Sequence, residues 1–428
     1  MLSNNNIKLL YGKNNLLLNI QNNWQPKIIR KPNMPIIENI PEKINRIFNN
    51  PINSEEMTKI CKNSKSVCIL VCDVTRPVPN DMFLEYMIKE IEKSGIKLEN
   101  ILIIIATGLH RPAPKIEIEK IIGSNWVLEN IKIVNHYARD DNNHRKIGVT
   151  SRGNLIKLDK RFLDSDIKIV TGLVEPHFMA GYSGGRKVIA PGIAHAETIT
   201  TFHSARYMED KNATSCNLIN NPLHEDQIEI VKMIGDVYSV NCVIDENRQL
   251  SFINFGEIIS SHIEAVNFIS SYAKVKCNQT FSTIITSAAG APLDSNFYQT
   301  VKGMVTPLDI LKEGGDLIIA SECSEGLGSK EFMKSQRNLL KVGPDKFLEK
   351  ILQKDYADID EWQTEMEIKT LKKGNIYLYS EGLSESDKKL TGVNITNNIE
   401  KTINESLKRH KDNNIAIIPE GPYVIPVV

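Results

Sequence analysis

Residues 66–106 read SVCILVCDVTRPVPNDMFLEYMIKEIEKSGIKLENILIIIA, and the order of patterns in this stretch decides the fold class. Ser66 to Cys72 is a short apolar run of the kind that forms a buried strand. Asn80 can cap a helix running through Ser94, with Leu84, Met87, Ile88 and Ile91 on one face and Gly95 as its stop. Ile101 to Ala106 is then the next strand. A strand, a helix and a second strand in succession imply a parallel βαβ unit, with helices covering both faces of the sheet.

The same alternation continues outward. Lys115 to Ile122 is patterned as a helix, and Ile131 to Asn135 and Ile167 to Thr171 as strands. After the polar stretch YAKVKCNQ at residues 272–279, further strands are expected at Thr283 to Ser287, Asp316 to Ala320 and Ile376 to Tyr379. The fold class is α/β, with two α/β domains and a cleft between them. The boundaries expected are residues 1–275 for the first domain and 276–410 for a smaller second one. Residues 411–428 hold a closing strand, Ile415 to Pro419, whose sheet the pattern leaves open.

A chain of 428 residues exceeds a single core at ~150 residues per domain, which agrees with two units. The 52 basic and 52 acidic residues balance, so no excess charge draws the chain to nucleic acid or to an anionic membrane. The amino terminus lacks the basic start and apolar run of a secretory signal, and no apolar stretch reaches the ~18 residues of a membrane helix. A cytoplasmic protein is expected. Seven cysteines with no C-x-x-C pair fit neither a disulfide framework nor a zinc ribbon and read as buried thiols.

In open parallel sheets, ligands sit beyond the carboxyl ends of the strands, so the residues that follow each strand carry the chemistry. Those residues are Asp73-Val74-Thr75-Arg76-Pro77, Thr107-Gly108-Leu109-His110-Arg111-Pro112 and Gly172 to His177. The stretch PHFMAGYSGGRKVIAPGIAHAETITTFH, Pro176 to His203, is the densest. It holds three histidines, a Gly-Gly turn and Lys187, where glycines let a backbone approach a phosphate, a lysine can be a covalent anchor and imidazoles can hold a metal or move protons.

Gly181 to Lys187 is not a nucleoside-triphosphate loop, because Val188 follows Lys187 where a Ser or Thr is required. No G-x-G-x-x-G and no H-E-x-x-H occurs. The backbone around Ser183, Gly184 and Gly185, with Arg186 beside it, can still cradle one phosphate. Arg76 offers a two-pronged donor for a carboxylate. In the second domain Tyr298 and Lys302 lie about one helical turn apart, with Gln299 between them. His136, His144, His262 and His410 stand alone in polar surroundings and read as solvated, and His224 follows a turn at Asn221-Pro222.

Taken together, these segments resemble the nickel-dependent lactate racemase family. The resemblance rests on five pieces in one order. They are Asp73-x-Thr75-Arg76-Pro77; Thr107-Gly108-x-His110-Arg111; Pro176-His177-x-x-Ala180-Gly181-Tyr182-Ser183-Gly184-Gly185-x-Lys187; His203; and Pro292-Leu293-Asp294-x-Asn296-x-Tyr298-Gln299-x-Val301-Lys302-Gly303. The resemblance implies a nickel pincer nucleotide, of the pyridinium-3,5-bisthiocarboxylic acid mononucleotide type, attached through Lys187. It implies His203 as the nickel ligand, His110 and His177 as acid and base, and Arg76 and Lys302 on the substrate carboxylate. Asp73, Tyr298 and Gln299 would be near neighbours.

The reaction implied is inversion of the α-carbon of a 2-hydroxy acid by reversible hydride transfer, with cofactor-synthesis enzymes as partners. Lactate is favoured because the family is named for it. A longer aliphatic or aromatic hydroxy acid, malate or a sugar acid epimer stay open. Two other classes compete: a zinc hydrolase using His177, His195 and His203, and a non-enzymatic nucleotide-binding protein using Ser183 to Lys187.

Overall fold

The structure, a computed structural model, describes residues 6–428. The chain divides into two compact units. A mid-chain unit comprises Asn33–Phe202 and Asn212–Ser271, and a terminal unit comprises the residues up to Pro32, His203–Lys211 and Tyr272–Val428. This division differs from a single cut at residue 275. The amino-terminal residues, the short segment after Phe202 and the closing strand all join the terminal unit.

The mid-chain unit is built on a six-stranded sheet in the order Leu250–Glu257, Tyr238–Ile244, Ile167–Leu173, Val67–Cys72, Ile101–Ala106, Lys132–Asn135. All neighbours are parallel except the edge strand Leu250–Glu257, which runs antiparallel to Tyr238–Ile244. Val67, Ile69 and Val71 point into one apolar core and Cys68 and Leu70 into the other. Helices cover both faces, so the strand sequence is apolar throughout rather than alternating.

The chain first adds strands on one side of Val67–Cys72 and then returns to its other side with Ile167–Leu173. The strand order therefore reverses between these two. A crevice at such a reversal is where doubly wound sheets bind ligands.

The expected helix from Asn80 to Ser94 forms as a short 3-10 turn, Asn80–Met82, followed by the helix Leu84–Lys93. Asn80 is no cap. Its side chain is buried, donating to the Ile121 carbonyl at 2.9 Å and accepting from Thr171 Oγ1 at 3.1 Å.

The terminal unit carries a six-stranded, wholly parallel sheet. Its order is Asn394–Thr396, Gly374–Tyr379, Leu311–Ala320, Phe281–Ser287, Asn414–Ile418, Gln25–Ile28. The closing strand thus sits between Phe281–Ser287 and the edge strand from the amino-terminal region. The turn of the hairpin Asn6–Tyr11/Asn14–Asn19 is tied to this unit, with the Gly12 amide donating to Asp294 Oδ2 at 2.6 Å.

The helix Glu361–Lys373 departs from the usual amphipathic pattern. Trp362, Gln363, Thr364, Glu365, Met366 and Glu367 are all buried. The cysteines are free thiols, buried except for half-buried Cys72, and no helix among the described residues is long and apolar enough to cross a membrane.

Candidate active site

In the mid-chain unit, the loop after Val67–Cys72 folds around Asp73. One oxygen of its carboxylate accepts from the Thr75 amide at 3.1 Å and the Thr75 hydroxyl at 2.6 Å, and the other stands 2.6 Å from His110 Nδ1. Burial pushes the Asp73 carboxyl up, but the bonds from His110 and Thr75 outweigh it and hold the group below its ordinary value. An ionised carboxylate only accepts, so His110 Nδ1 carries a proton, and in a neutral ring Nε2 then presents a lone pair. The His110 side chain is 54% exposed, which leaves that lone pair open to a ligand.

The loop that carries His110 is pinned at both ends. The His110 amide donates to the Thr107 carbonyl, and Gly108, in the left-handed region at φ 55°, donates to the Gly192 carbonyl at 2.9 Å.

His177 lies on the two-residue strand Pro176–His177, paired with Gly181–Tyr182, and is buried against Phe178 with ring centroids 4.8 Å apart. Its Nδ1 accepts from the amides of Met179 at 3.4 Å and Ala180 at 3.3 Å. Amides only donate, so a neutral His177 carries its proton on Nε2. The two imidazoles are held in opposite senses, one with a bare Nε2 and one with a protonated Nε2. Arg76 meets Glu175 in an ion pair of 2.9 Å.

Lys187 is half-buried on the short helix Arg186–Ile189, immediately after the Gly-Gly turn. The turn is forced by close packing. Gly184 has φ 76° and a Cβ there would stand 2.7 Å from Val174, while Gly185 has φ 47° and a Cβ there would stand 2.8 Å from the His262 ring.

The terminal unit assembles a second group. His203 is buried, with its ring centroid 4.5 Å from that of Trp362. The Trp362 indole N–H donates to the Tyr298 hydroxyl at 3.0 Å. Lys302 Nζ donates to Gln299 Oε1 at 2.6 Å and lies 5.7 Å from the Tyr298 ring centroid. Asn296 caps the helix Phe297–Val305 that presents these residues, accepting from the Gln299 amide at 3.0 Å.

The lactate racemase N-terminal domain family matches residues 11–215 and the lactate racemase C-terminal domain family matches residues 276–426. A lactate racemase of Thermoanaerobacterium thermosaccharolyticum is 31% identical over 98% of this chain and 99% of its own length. One from Lactiplantibacillus plantarum is 29% identical over 90% of each. The chain belongs to the lactate racemase family. The structure of the Thermoanaerobacterium thermosaccharolyticum lactate racemase apoprotein superimposes with a TM-score of 0.91, at 30% identity, over 98% of this chain and 99% of that one.

Within this lactate racemase fold, several expectations from sequence change. Arg186, expected beside a phosphate, is turned inward. Its side chain is fully buried, donating to His224 Nδ1 at 2.8 Å and to the carbonyls of Ala180 and Tyr182, and reaching His262 Nε2 at 2.9 Å. Burial pulls the guanidinium down to about 9, and pulls His224 to about 3 and His262 well below its ordinary value, so both rings are neutral. Arg186 ties the turn to the helices Pro222–Ile234 and Ile258–Ala273. The Ser183 hydroxyl and amide are likewise turned inward, donating to the carbonyls of Leu173 at 2.7 Å and Glu175 at 2.9 Å.

The histidines read as solvated are not. His136 and His262 are buried, His136 Nε2 lies 3.0 Å from His144 Nε2, and His410 Nε2 lies 3.1 Å from buried Asp316. His195 packs edge-on to His144, with Nε2 at 3.2 Å from Asp141. Among the described residues no group of three or more His, Cys, Asp or Glu is arranged to hold a metal.

Three contacts were not legible in the motifs: Thr75 on Asp73, Glu175 on Arg76, and Trp362 on His203. The spacing of Asp73 and Thr75 is an Asx-turn signal. Trp362 lies about 60 residues beyond the nearest motif and carried none.

Proposed function

We propose that this isomerase of the racemase class inverts the α-carbon of a 2-hydroxy acid, lactate foremost, with His110 and His177 as the two proton-transfer groups. The observation that carries the reading is their opposed hydrogen-bond state. A racemase must remove the hydroxyl proton on one side and return it on the other, and a bare Nε2 on His110 with a protonated Nε2 on His177 is the starting condition for that exchange. Asp73 keeps His110 in the accepting tautomer and stabilises its cation once it has taken the proton. The family resemblance assigns Arg76 and Lys302 to the substrate carboxylate; within the terminal unit the Lys302 ammonium donates to Gln299 and lies over the Tyr298 ring.

The residues fit the pincer nucleotide of the family. Lys187 follows a turn whose neighbour Arg186 is directed inward, and the resemblance assigns Lys187 as the side chain that carries the nucleotide. The metal of such a cofactor would take a single protein ligand, His203, and its other donors from the nucleotide. When bound, such a group supplies an electron-poor carbon that takes up and returns the substrate's Cα hydrogen with its bonding pair. His203 is held for its role by the Trp362 ring, and Ser183, Gly184 and Gly185 shape the turn rather than contact the nucleotide through side chains.

The test is protein produced alongside the cofactor-synthesis enzymes. Peptide mass spectrometry should find Lys187 modified and metal analysis should find nickel. Fully active protein with unmodified Lys187 contradicts the assignment of the anchor. His110→Ala and His177→Ala should each retain the adduct and lose turnover, and wild-type rates in either contradict the two-base reading.

A further inference from the structure

The Arg76–Glu175 ion pair lies where the strand order of the mid-chain sheet reverses, since Arg76 follows Val67–Cys72 and Glu175 follows Ile167–Leu173. Both side chains are 22% exposed, so the pair is partly desolvated and its charges act over the adjoining space with less screening than on an open surface. Glu175 is also fixed in position. Its amide donates to Ser183 Oγ at 3.1 Å and its carbonyl accepts from the Ser183 amide at 2.9 Å, which locks the residue between the strand and the Gly-Gly turn.

A guanidinium has five N–H donors, and Glu175 engages Nη1. A substrate carboxylate held by the remaining donors therefore binds beside a fixed negative charge. Asp73, also ionised, stands three residues from Arg76. One carboxylate bound by Arg76 would have its charge offset by the guanidinium that holds it. A second carboxylate on the same small acid has no such cation from this loop and meets the field of Glu175 and Asp73.

We propose that Glu175 determines substrate charge, restricting the Arg76 subsite to 2-hydroxy acids with one carboxylate and excluding dicarboxylates. The proposal rests on the reading that Arg76 binds the substrate carboxylate.

The experiment compares kcat and KM for single enantiomers of lactate and malate in cofactor-loaded wild type, Glu175→Gln, Glu175→Ala and Arg76→Gln. Wild type should favour lactate. Glu175→Gln keeps an acceptor for Nη1 and removes the charge, so it should raise malate efficiency relative to lactate by about tenfold or more, chiefly through a lower KM for malate. Glu175→Ala also frees the Arg76 side chain, and should raise KM for lactate where Glu175→Gln does not. Wild type that inverts malate as efficiently as lactate overturns the proposal, as does an unchanged malate-to-lactate ratio in Glu175→Gln. An Arg76→Gln enzyme with unaltered KM for both acids instead removes the carboxylate assignment of Arg76 on which the proposal rests.

Discussion

Nδ1 of His110 lies 2.6 Å from Oδ2 of Asp73, and the same carboxylate is braced by two hydrogen bonds from Thr75. This relationship places a proton on Nδ1 of His110 and turns Nε2 away from Asp73. Asp73→Asn keeps the shape but offers an amide that can donate to Nδ1, placing the proton on Nε2. The expected outcome is a drop in kcat of roughly 10²–10⁴-fold with little change in KM. Chiral chromatography of initial rates checks it, with circular dichroism confirming the fold. A decrease confined to KM would assign Asp73 to substrate binding instead.

A glycine-to-alanine change at position 185 should disable the turn before it touches the chemistry. The added Cβ meets the His262 ring at 2.8–2.9 Å and the backbone sits at φ 47°, a conformation alanine resists. We expect a loss of about 2–4 kcal/mol in stability, read as a lower denaturation midpoint. His262→Ala in the same background relieves the clash and should recover part of the loss, unless the backbone conformation alone is responsible.

Glu367 makes the terminal unit sensitive to alkali. Its carboxyl is wholly buried, and burial raises it from 4.5 to about 8 against the opposing hydrogen bond from Gln336. Between these values the unfolded chain releases the proton while the native state holds it. Stability therefore falls as pH rises through this window, by at most about 1.4 kcal/mol per pH unit, and levels off above about pH 8. Glu367→Gln removes the slope. Unfolding free energies of both proteins at about pH 5, 7 and 9 should show the difference shifting in favour of the variant as pH rises; a constant difference contradicts the assignment.

Local physics made much of the fold readable. The apolar strands Val67–Cys72 and Ile101–Ala106 are buried on both faces, and a run of that kind has few other structural outcomes. The strands at Ile167–Leu173, Phe281–Ser287 and Asn414–Ile418 begin and end within a few residues of their expected positions. Membership of a sheet was another matter. Gln25–Ile28 and Asn414–Ile418 pair across almost the whole length of the chain, and no periodicity encodes a partner so distant in sequence.

At the site, the residue types at the strand ends were legible, whereas their orientations were not. Arg186 and Lys187 are adjacent and chemically alike, yet one is turned fully into the core because His224 and His262 arrive there from two other helices. Burial likewise converted isolated histidines into packed ones. Nothing in the bare spacing of His136 and His144 distinguishes solvated rings from a pair 3.0 Å apart.

In the proposed reaction the α-hydrogen departs with its electron pair while His110 and His177 handle only the hydroxyl proton. The most direct test is turnover of a single lactate enantiomer in deuterium oxide by the cofactor-loaded protein, with mass analysis of the separated product. The inverted acid is expected to carry ordinary hydrogen at its α-carbon. Inverted acid bearing solvent deuterium at that carbon would mean that the α-hydrogen leaves as a proton, which hydride transfer does not allow.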